Sequence, residues 1–207
     1  MEKRWIIAKK ITKEFQNKFP EIDKTTLQLL YNRGIKTQEQ IDEFLNPDYS
    51  QDLHDPFLFN DMEKAVDRIF KAIRKKEKIM VFGDYDADGI TSAILMVETL
   101  RELGIDTDVY LPDREKEGYG LNAKAIQEFA KQDINLIITV DCGIRNDKEI
   151  RLAKKLGMDT IVTDHHIEPP KLPQDAFAII NPKISRDKYP FRGLAGVGVA
   201  FKLVQAI

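Results

Sequence analysis

Apolar positions are sparse and locally grouped over the first 59 residues. Leu27, Leu29, Leu30 and Ile35 form one group and Ile41, Phe44 and Leu45 another, with Gly34 and Pro47 as breakers. No strand-like run occurs there, so residues 1–59 read as an accessory segment of a few short helices and a long loop. From residue 60 the spacing changes. Asn60 or Asp61 is placed to cap a helix running to Lys76. Ile79-Met80-Val81-Phe82 follows, a continuous apolar run suited to a strand buried on both faces, and it ends at Gly83-Asp84. A helix over 91–103, closed by Gly104, comes next. Further strands are predicted at 107–111, 135–140, 159–163 and 177–180, separated by helices over 122–131 and 146–156, the second closed by Gly157. Strands alternating with helices of this length define βαβ units. The fold class is therefore α/β: a parallel sheet with helices on both faces over residues 60–207, preceded by the small helical segment.

Composition narrows the function classes. With 43% hydrophobic residues a core of useful size is available, and 32% charged residues argue for a water-facing surface. No apolar run approaches the roughly 20 residues that a membrane span needs, and the basic start MEKRWIIAKKITKEF is followed by neither a long apolar stretch nor a small-residue cleavage site. A single cysteine, Cys142, excludes an internal disulfide and a multi-cysteine zinc site, so a cytoplasmic location is expected. The net charge of −2 does not mark a generally basic nucleic-acid binder. A local basic run, Lys71, Arg74, Lys75, Lys76 and Lys78, reads first as a solvated helix end, where cations also suit the helix dipole.

The acidic residues change the picture. Open α/β sheets bind ligands at the carboxyl ends of their strands, and three predicted strand ends are acidic: Asp84-Tyr85-Asp86-Ala87-Asp88-Gly89, Asp141-Cys142-Gly143 and Asp164-His165-His166. Three carboxylates within five residues repel one another unless water or a cation neutralises them. Next to an apolar strand they lose water, and a metal becomes the natural partner. The opening D-x-D-x-D-G also begins like an EF-hand loop, but the twelfth position is Leu95 rather than Glu, and the cluster follows a strand. Two of the three histidines form the pair His165-His166, and an imidazole beside a carboxylate makes a good ligand. Several carboxylates with one or two imidazoles favour Mn²⁺, with Mg²⁺ as the other candidate. Cys142, on the face opposite to Asp141 if the strand runs straight, is expected to be a buried thiol.

These motifs together resemble the DHH phosphoesterases. Asp84-Tyr85-Asp86-Ala87-Asp88-Gly89, Val140-Asp141-Cys142-Gly143 and Asp164-His165-His166 are similar to the first three motifs of that superfamily. The D-x-D-A-D-G form, Asp141-Cys142-Gly143-Ile144, Pro112-Asp113-Arg114 with Glu117-Gly118-Tyr119-Gly120-Leu121, and Leu194 to Lys202 resemble the RecJ-like branch. The resemblance implies a single-stranded-DNA-specific 5′→3′ exonuclease of recombination and repair, using two Mn²⁺ or Mg²⁺ ions and working on single-stranded DNA, with other repair or replication proteins as further partners. It also implies a fourth metal-binding aspartate, a second core domain and an oligonucleotide-binding fold beyond Ile207. The chain is accordingly expected to be an incomplete and, alone, inactive piece of a DHH domain.

Carried over residue by residue, the resemblance assigns Asp86 to the first metal, Asp88 and His165 to the second, and Asp141 to both. The superfamily's metal-binding histidine falls at Phe82, which cannot ligate, so Asp84 is the substitute. His166 is expected to contact phosphate and, with Asp141, to serve catalysis. Arg114 suits bidentate phosphate binding and Tyr119 base stacking; an ordinary loop turning at Gly118 and Gly120 is the alternative. Gly193, Gly196 and Gly198 either open a helix N-terminus toward a phosphate or allow close backbone packing. Two other functions compete: a DHH phosphodiesterase for short oligonucleotides, cyclic dinucleotides or pyrophosphate, and a non-catalytic scaffold. The RecJ-like first motif and the N-terminal helices argue against the former, the intact acidic set against the latter.

Overall fold

A computed structural model describes residues 4–105 and 107–207. The chain separates into two compact units, one extending to Leu53 and the other spanning His54–Ile207. In the first, α1 (Lys13–Asn17), α2 (Lys24–Asn32) and α3 (Gln38–Leu45) start at the side-chain caps Thr12, Asp23 and Thr37. At α3 the cap is a full capping box with Gln40. Their apolar sides meet in a small core of Phe19, Leu27, Leu30 and Ile41.

The second unit begins six residues before the change of pattern. Pro56–Leu58 form a single 3₁₀ turn, and Phe59 is buried in the core beneath the sheet. The elements then alternate: α4 (Met62–Lys75), β1 (Lys78–Gly83), α5 (Ala87–Glu102), β2 (Thr107–Tyr110), α6 (Ala123–Lys131), β3 (Ile134–Val140), α7 (Asp147–Lys155), β4 (Asp159–Thr163), β5 (Ala178–Ile180) and α8 (Gly196–Ala206). All strand pairs are parallel, in the order β2-β1-β3-β4-β5. The central strands are buried along nearly their whole length, as their unbroken apolar runs require.

Two cores sandwich the sheet. On one face Met62, Ile69, Met96, Leu100, Val199 and Leu203 from α4, α5 and α8 pack on Val81, Ile138 and Ile161. On the other, Ile126, Phe129 and Ile150 from α6 and α7 pack on Phe82, Ile137 and Val162. Burying one such side chain contributes about 1.5–3 kcal/mol. The chain leaves β1 toward β2 on one side and enters β3 on the other. The strand order therefore reverses between β1 and β3, and the crevice outside their carboxyl ends is where a doubly wound sheet takes a ligand.

The amino ends of the strands are closed by a buried ion-pair network. Arg68 lies 2.7 Å from both Glu77 and Asp159. A concavity lined by Ile73, Lys76, Ile79, Gly104, Ile105 and Ile134 opens at that same end. The basic run of α4 and its C-terminus sits there too, remote in the fold from the acidic strand ends. Among the described residues no helix is long and apolar enough to cross a membrane.

Candidate metal centre

Each acidic strand end is shaped by its own chain. After β1 the Asp86 carboxylate caps α5, accepting from the N–H groups of Asp88 at 2.9 Å and Gly89 at 3.0 Å. This starts α5 at Ala87, four residues before the periodicity predicts. Gly89 is needed for the turn: a Cβ there would lie 2.4 Å from the Asp84 carbonyl oxygen. Asp84 is thereby folded inward and is 4% exposed.

After β3 the backbone does not continue straight. Asp141 takes a left-handed conformation with φ of 61°, and its N–H donates to the Thr163 carbonyl at 3.0 Å. Cys142 is fully buried as expected, with Sγ 3.9 Å from the Phe82 carbonyl oxygen, but this turn, rather than strand alternation, separates it from Asp141. Phe82 stacks on Tyr110 in the core on the α6 side and takes no part in the site. After β4 the Asp164 carboxylate gathers the next turn around itself. Oδ1 accepts from the N–H groups of His165 and His166 at 2.7 and 3.0 Å and contacts His166 Nδ1 at 2.8 Å; Oδ2 accepts from Ile144 N–H at 2.9 Å.

The strand ends converge on Asp141. Ligand atoms of Asp84, Asp86 and Asp141 lie within 4.8 Å of one another, as do those of Asp141, His165 and His166. Asp141 belongs to both groups. It is 1% exposed, and its Oδ1 has no hydrogen-bond partner. His165 Nε2 lies 3.1 Å from that oxygen. His165 Nδ1 lies 3.2 Å from the Leu194 carbonyl oxygen. A carbonyl only accepts, so Nδ1 carries a proton, and in the neutral ring Nε2 turns a lone pair toward the carboxylate. Two facing acceptors in a dry site require a proton or a cation between them.

Electrostatics points the same way. Burial, then the charges of Asp88 and Asp86, push the Asp141 carboxyl up to about 8. Burial also raises Asp84, against the hydrogen bond from Tyr85 N–H. Asp164 behaves oppositely: burial alone would raise it, but its hydrogen bonds with His166 and the N–H of Ile144 hold it below the usual carboxylate range. That bond to Asp164 raises His166 in turn, outweighing burial. Orphaned oxygen, hard oxygen donors and an adjacent imidazole lone pair together fit a divalent cation.

The remaining predicted residues fall around this centre in different ways. Asp88 is in neither donor group. Its two oxygens accept from the N–H groups of Gly196 and Val197, at 2.7 and 2.8 Å, and Oδ2 is 3.7 Å from His165 Nε2. The glycine segment therefore turns the α8 N-terminus to a carboxylate of the protein's own, and Gly196 is packed so closely that a Cβ would lie 2.3 Å from Asp141 Oδ1. Tyr119 Oη is 3.1 Å from His166 Nδ1 and 3.4 Å from the Asp141 carbonyl oxygen, so its hydroxyl enters the site and its ring edge meets His166. Arg114 is exposed, its guanidinium 5.4 Å above the Tyr85 ring beside the acidic loop. Asp164 was named as an acidic strand end but given no role, and Asn181, whose side-chain amide donates to the His166 carbonyl at 3.0 Å, was absent from the expected set. Asn181 was findable, since it follows β5 as Asp141 follows β3.

Sheet, switch point and acidic strand ends define a DHH domain, and the chain belongs to that family: residues 78–207 match the family model described as "DHH family, N-terminal domain". Among individual proteins, it is 50% identical over 179 residues to the single-stranded-DNA-specific exonuclease RecJ of Bacillus subtilis (strain 168), covering 86% of this chain and 22% of that protein. It is similar to a crystal structure of exonuclease RecJ bound to manganese, with 34% identity and a TM-score of 0.67 over 74% of this chain and 39% of the other. RecJ of Thermus thermophilus in complex with Mn²⁺ matches with 28% identity and a TM-score of 0.69 over 93% of this chain and 26% of that one. The chain thus spans well under half the length of these relatives.

Proposed function

We propose that the protein carrying this chain is a metal-dependent phosphodiesterase, acting as a single-stranded-DNA-specific 5′→3′ exonuclease in recombination and repair in the cytoplasm, with two Mn²⁺ or Mg²⁺ ions. The observation that carries the reading is the orphaned Oδ1 of Asp141, buried at the meeting point of both donor groups. Metal-bound RecJ relatives support the choice of ion. We assign the N-terminal helical segment, read from the sequence as residues 1–59, an accessory role, and the sheet unit, read as 60–207 and beginning at His54 in the structure, to the DHH domain.

Asp84, Asp86 and Asp141 would hold one cation, and Asp141 and His165 the other. Asp88 would join the second through the lone pairs that α8 leaves free. Divalent ions supply Lewis acidity toward phosphoryl oxygens and a nucleophile near neutral pH. The chain's own side chains do the rest. Asp164 fixes the His166 ring through Nδ1, so that Nε2 faces the substrate. The raised affinity of His166 for a proton suits it to donate a hydrogen bond to a phosphoryl oxygen or a proton to the leaving oxygen. Tyr119 donates from its hydroxyl to the Asp141 carbonyl and steadies that ring, while its exposed face remains open to a base. Arg114, braced on Tyr85, is placed for a phosphate at the rim.

Cleavage tests the reading. A single-stranded oligonucleotide labelled at one end or the other is incubated with Mn²⁺ and the whole protein that carries this chain. Stepwise release of mononucleotides from the 5′ end, lost in Asp141→Ala, is expected. Hydrolysis confined to dinucleotides, cyclic dinucleotides or pyrophosphate would replace it with the short-substrate alternative.

A further inference from the structure

The connection from β5 to α8 touches the site so far only through the Asn181 side chain and the Leu194 carbonyl. It carries four cations, Lys183, Arg186, Lys188 and Arg192, against one carboxylate, Asp187, in a chain whose net charge is −2. Two of these cations are tied to the His166 turn by short links. Asn181 donates from its side chain to the His166 carbonyl at 3.0 Å and accepts from Lys183 N–H at 2.8 Å. Arg192 donates to the Lys183 carbonyl at 2.7 Å. A third cation comes from the β3 side, where Arg145 donates to the carbonyl of Ile167, next to His166, at 3.3 Å. Arg145 and Arg192 are exposed and Lys183 is half-buried, and none of the three forms an ion pair among the described residues. Exposed cations without carboxylate partners are free to meet an anionic ligand.

An aromatic ring stands in the same place. Phe191 is 50% exposed. Its ring edge lies against Gly193, where a Cβ would come within 3.1 Å of it, so no larger residue fits without moving the ring. Leu194, one residue on, is the carbonyl that fixes His165. The ring thus stands three residues before the one whose carbonyl holds His165. Cations with an interposed exposed aromatic are the recognition elements of a single-stranded nucleic acid: charge tracks the phosphates and the ring stacks on a base.

We infer that Arg145, Lys183 and Arg192, with Phe191, form a track for the phosphodiester backbone of a single strand, leading across the carboxyl ends of β4 and β5 to His166. Arg114 and Tyr119 lie on the β2 side of the centre, so the strand crosses the sheet edge from one flank to the other. The inference rests on the phosphodiesterase reading and adds to it the side on which the chain of nucleotides is held.

The test is fluorescence polarisation of a labelled, cleavage-resistant phosphorothioate oligothymidylate in Mn²⁺ at low and moderate salt. The triple variant Arg145→Gln, Lys183→Gln, Arg192→Gln is compared with a control pair at the opposite end of the sheet, Lys71→Gln with Lys75→Gln. The triple variant should bind about tenfold more weakly, and the slope of log affinity against log salt should fall by about 2, near 0.7 for each lost phosphate contact. The control pair should change neither, and Phe191→Ala should weaken binding without altering the slope. Equal losses in triple variant and control, no measurable binding by the unaltered chain at low salt, or displacement by polyglutamate as readily as by unlabelled oligonucleotide would overturn the track. The last result would make it a surface for an acidic protein. Mn²⁺ calorimetry separates the two levels. Absent metal binding in the unaltered chain refutes the phosphodiesterase reading, whereas normal metal binding with strand affinity unchanged in the triple variant refutes the track alone.

Discussion

Replacing Asp141 by asparagine should stabilise the metal-free protein while removing its ability to take up Mn²⁺. Burial and the charges of Asp88 and Asp86 raise the carboxyl from 3.8 to about 8. The folded state therefore holds a proton that the unfolded state has lost, and stability falls as pH rises from the unfolded value toward the folded one. Each unit corresponds to about 1.4 kcal/mol, so by pH 8 the charge costs about 5 kcal/mol, less whatever the site recovers by relaxing. Asparagine keeps the shape and carries no charge, and its amide can donate to the His165 Nε2 lone pair. Recovering even half of that cost would raise the melting temperature at pH 8 by about 5–10 °C for a chain of this size. Calorimetric melts in EDTA at pH 5 and pH 8 measure it. The gap between wild type and variant should widen in the variant's favour with pH, and saturating Mn²⁺ should rescue wild type only, by about 2.7 kcal/mol at a hundred times the dissociation constant. Parallel profiles for the two proteins would refute the claim that this carboxylate is held in a site built for a cation.

The two histidines should divide. His165→Ala should lower Mn²⁺ affinity by about tenfold or more in titration calorimetry, because its lone pair faces Asp141, while His166→Ala should leave affinity within about threefold and slow cleavage instead; equal losses would contradict the split. Gly196→Ala should destabilise the chain by about 1–3 kcal/mol in urea unfolding, since the added methyl meets Asp141 Oδ1, and an unaffected midpoint would show that α8 is free to back away.

Much of this was legible in the sequence, for identifiable reasons. Ile79-Met80-Val81-Phe82 and residues 135–140 announce buried strands because parallel sheets bury both faces and leave no alternation to misread. The 159–163 strand matches β4 end for end. The site was legible because carboxylates at the ends of apolar strands lose water at a steep cost, which a bound cation offsets. What escaped depends on geometry that spacing does not encode. The start of α5 was displaced because Asp86 acts as its cap, and a residue with two uses shows only one in a pattern. The left-handed turn at Asp141 leaves no mark in the residue type, since an aspartate at a strand end looks the same whether the backbone continues straight or folds back. The cations of the β5–α8 connection gain meaning only once β5 is placed beside β4.

The carboxylate of Asp88 ends up with two claimants: the amides that begin α8 and any cation seated beside His165. On the proposed assignment both would hold the same carboxylate at once, through different lone pairs, and any coupling between them would run equally in both directions. A displacement of α8 would then be felt at the ion, and seating of the ion would be felt at the first turn of the helix.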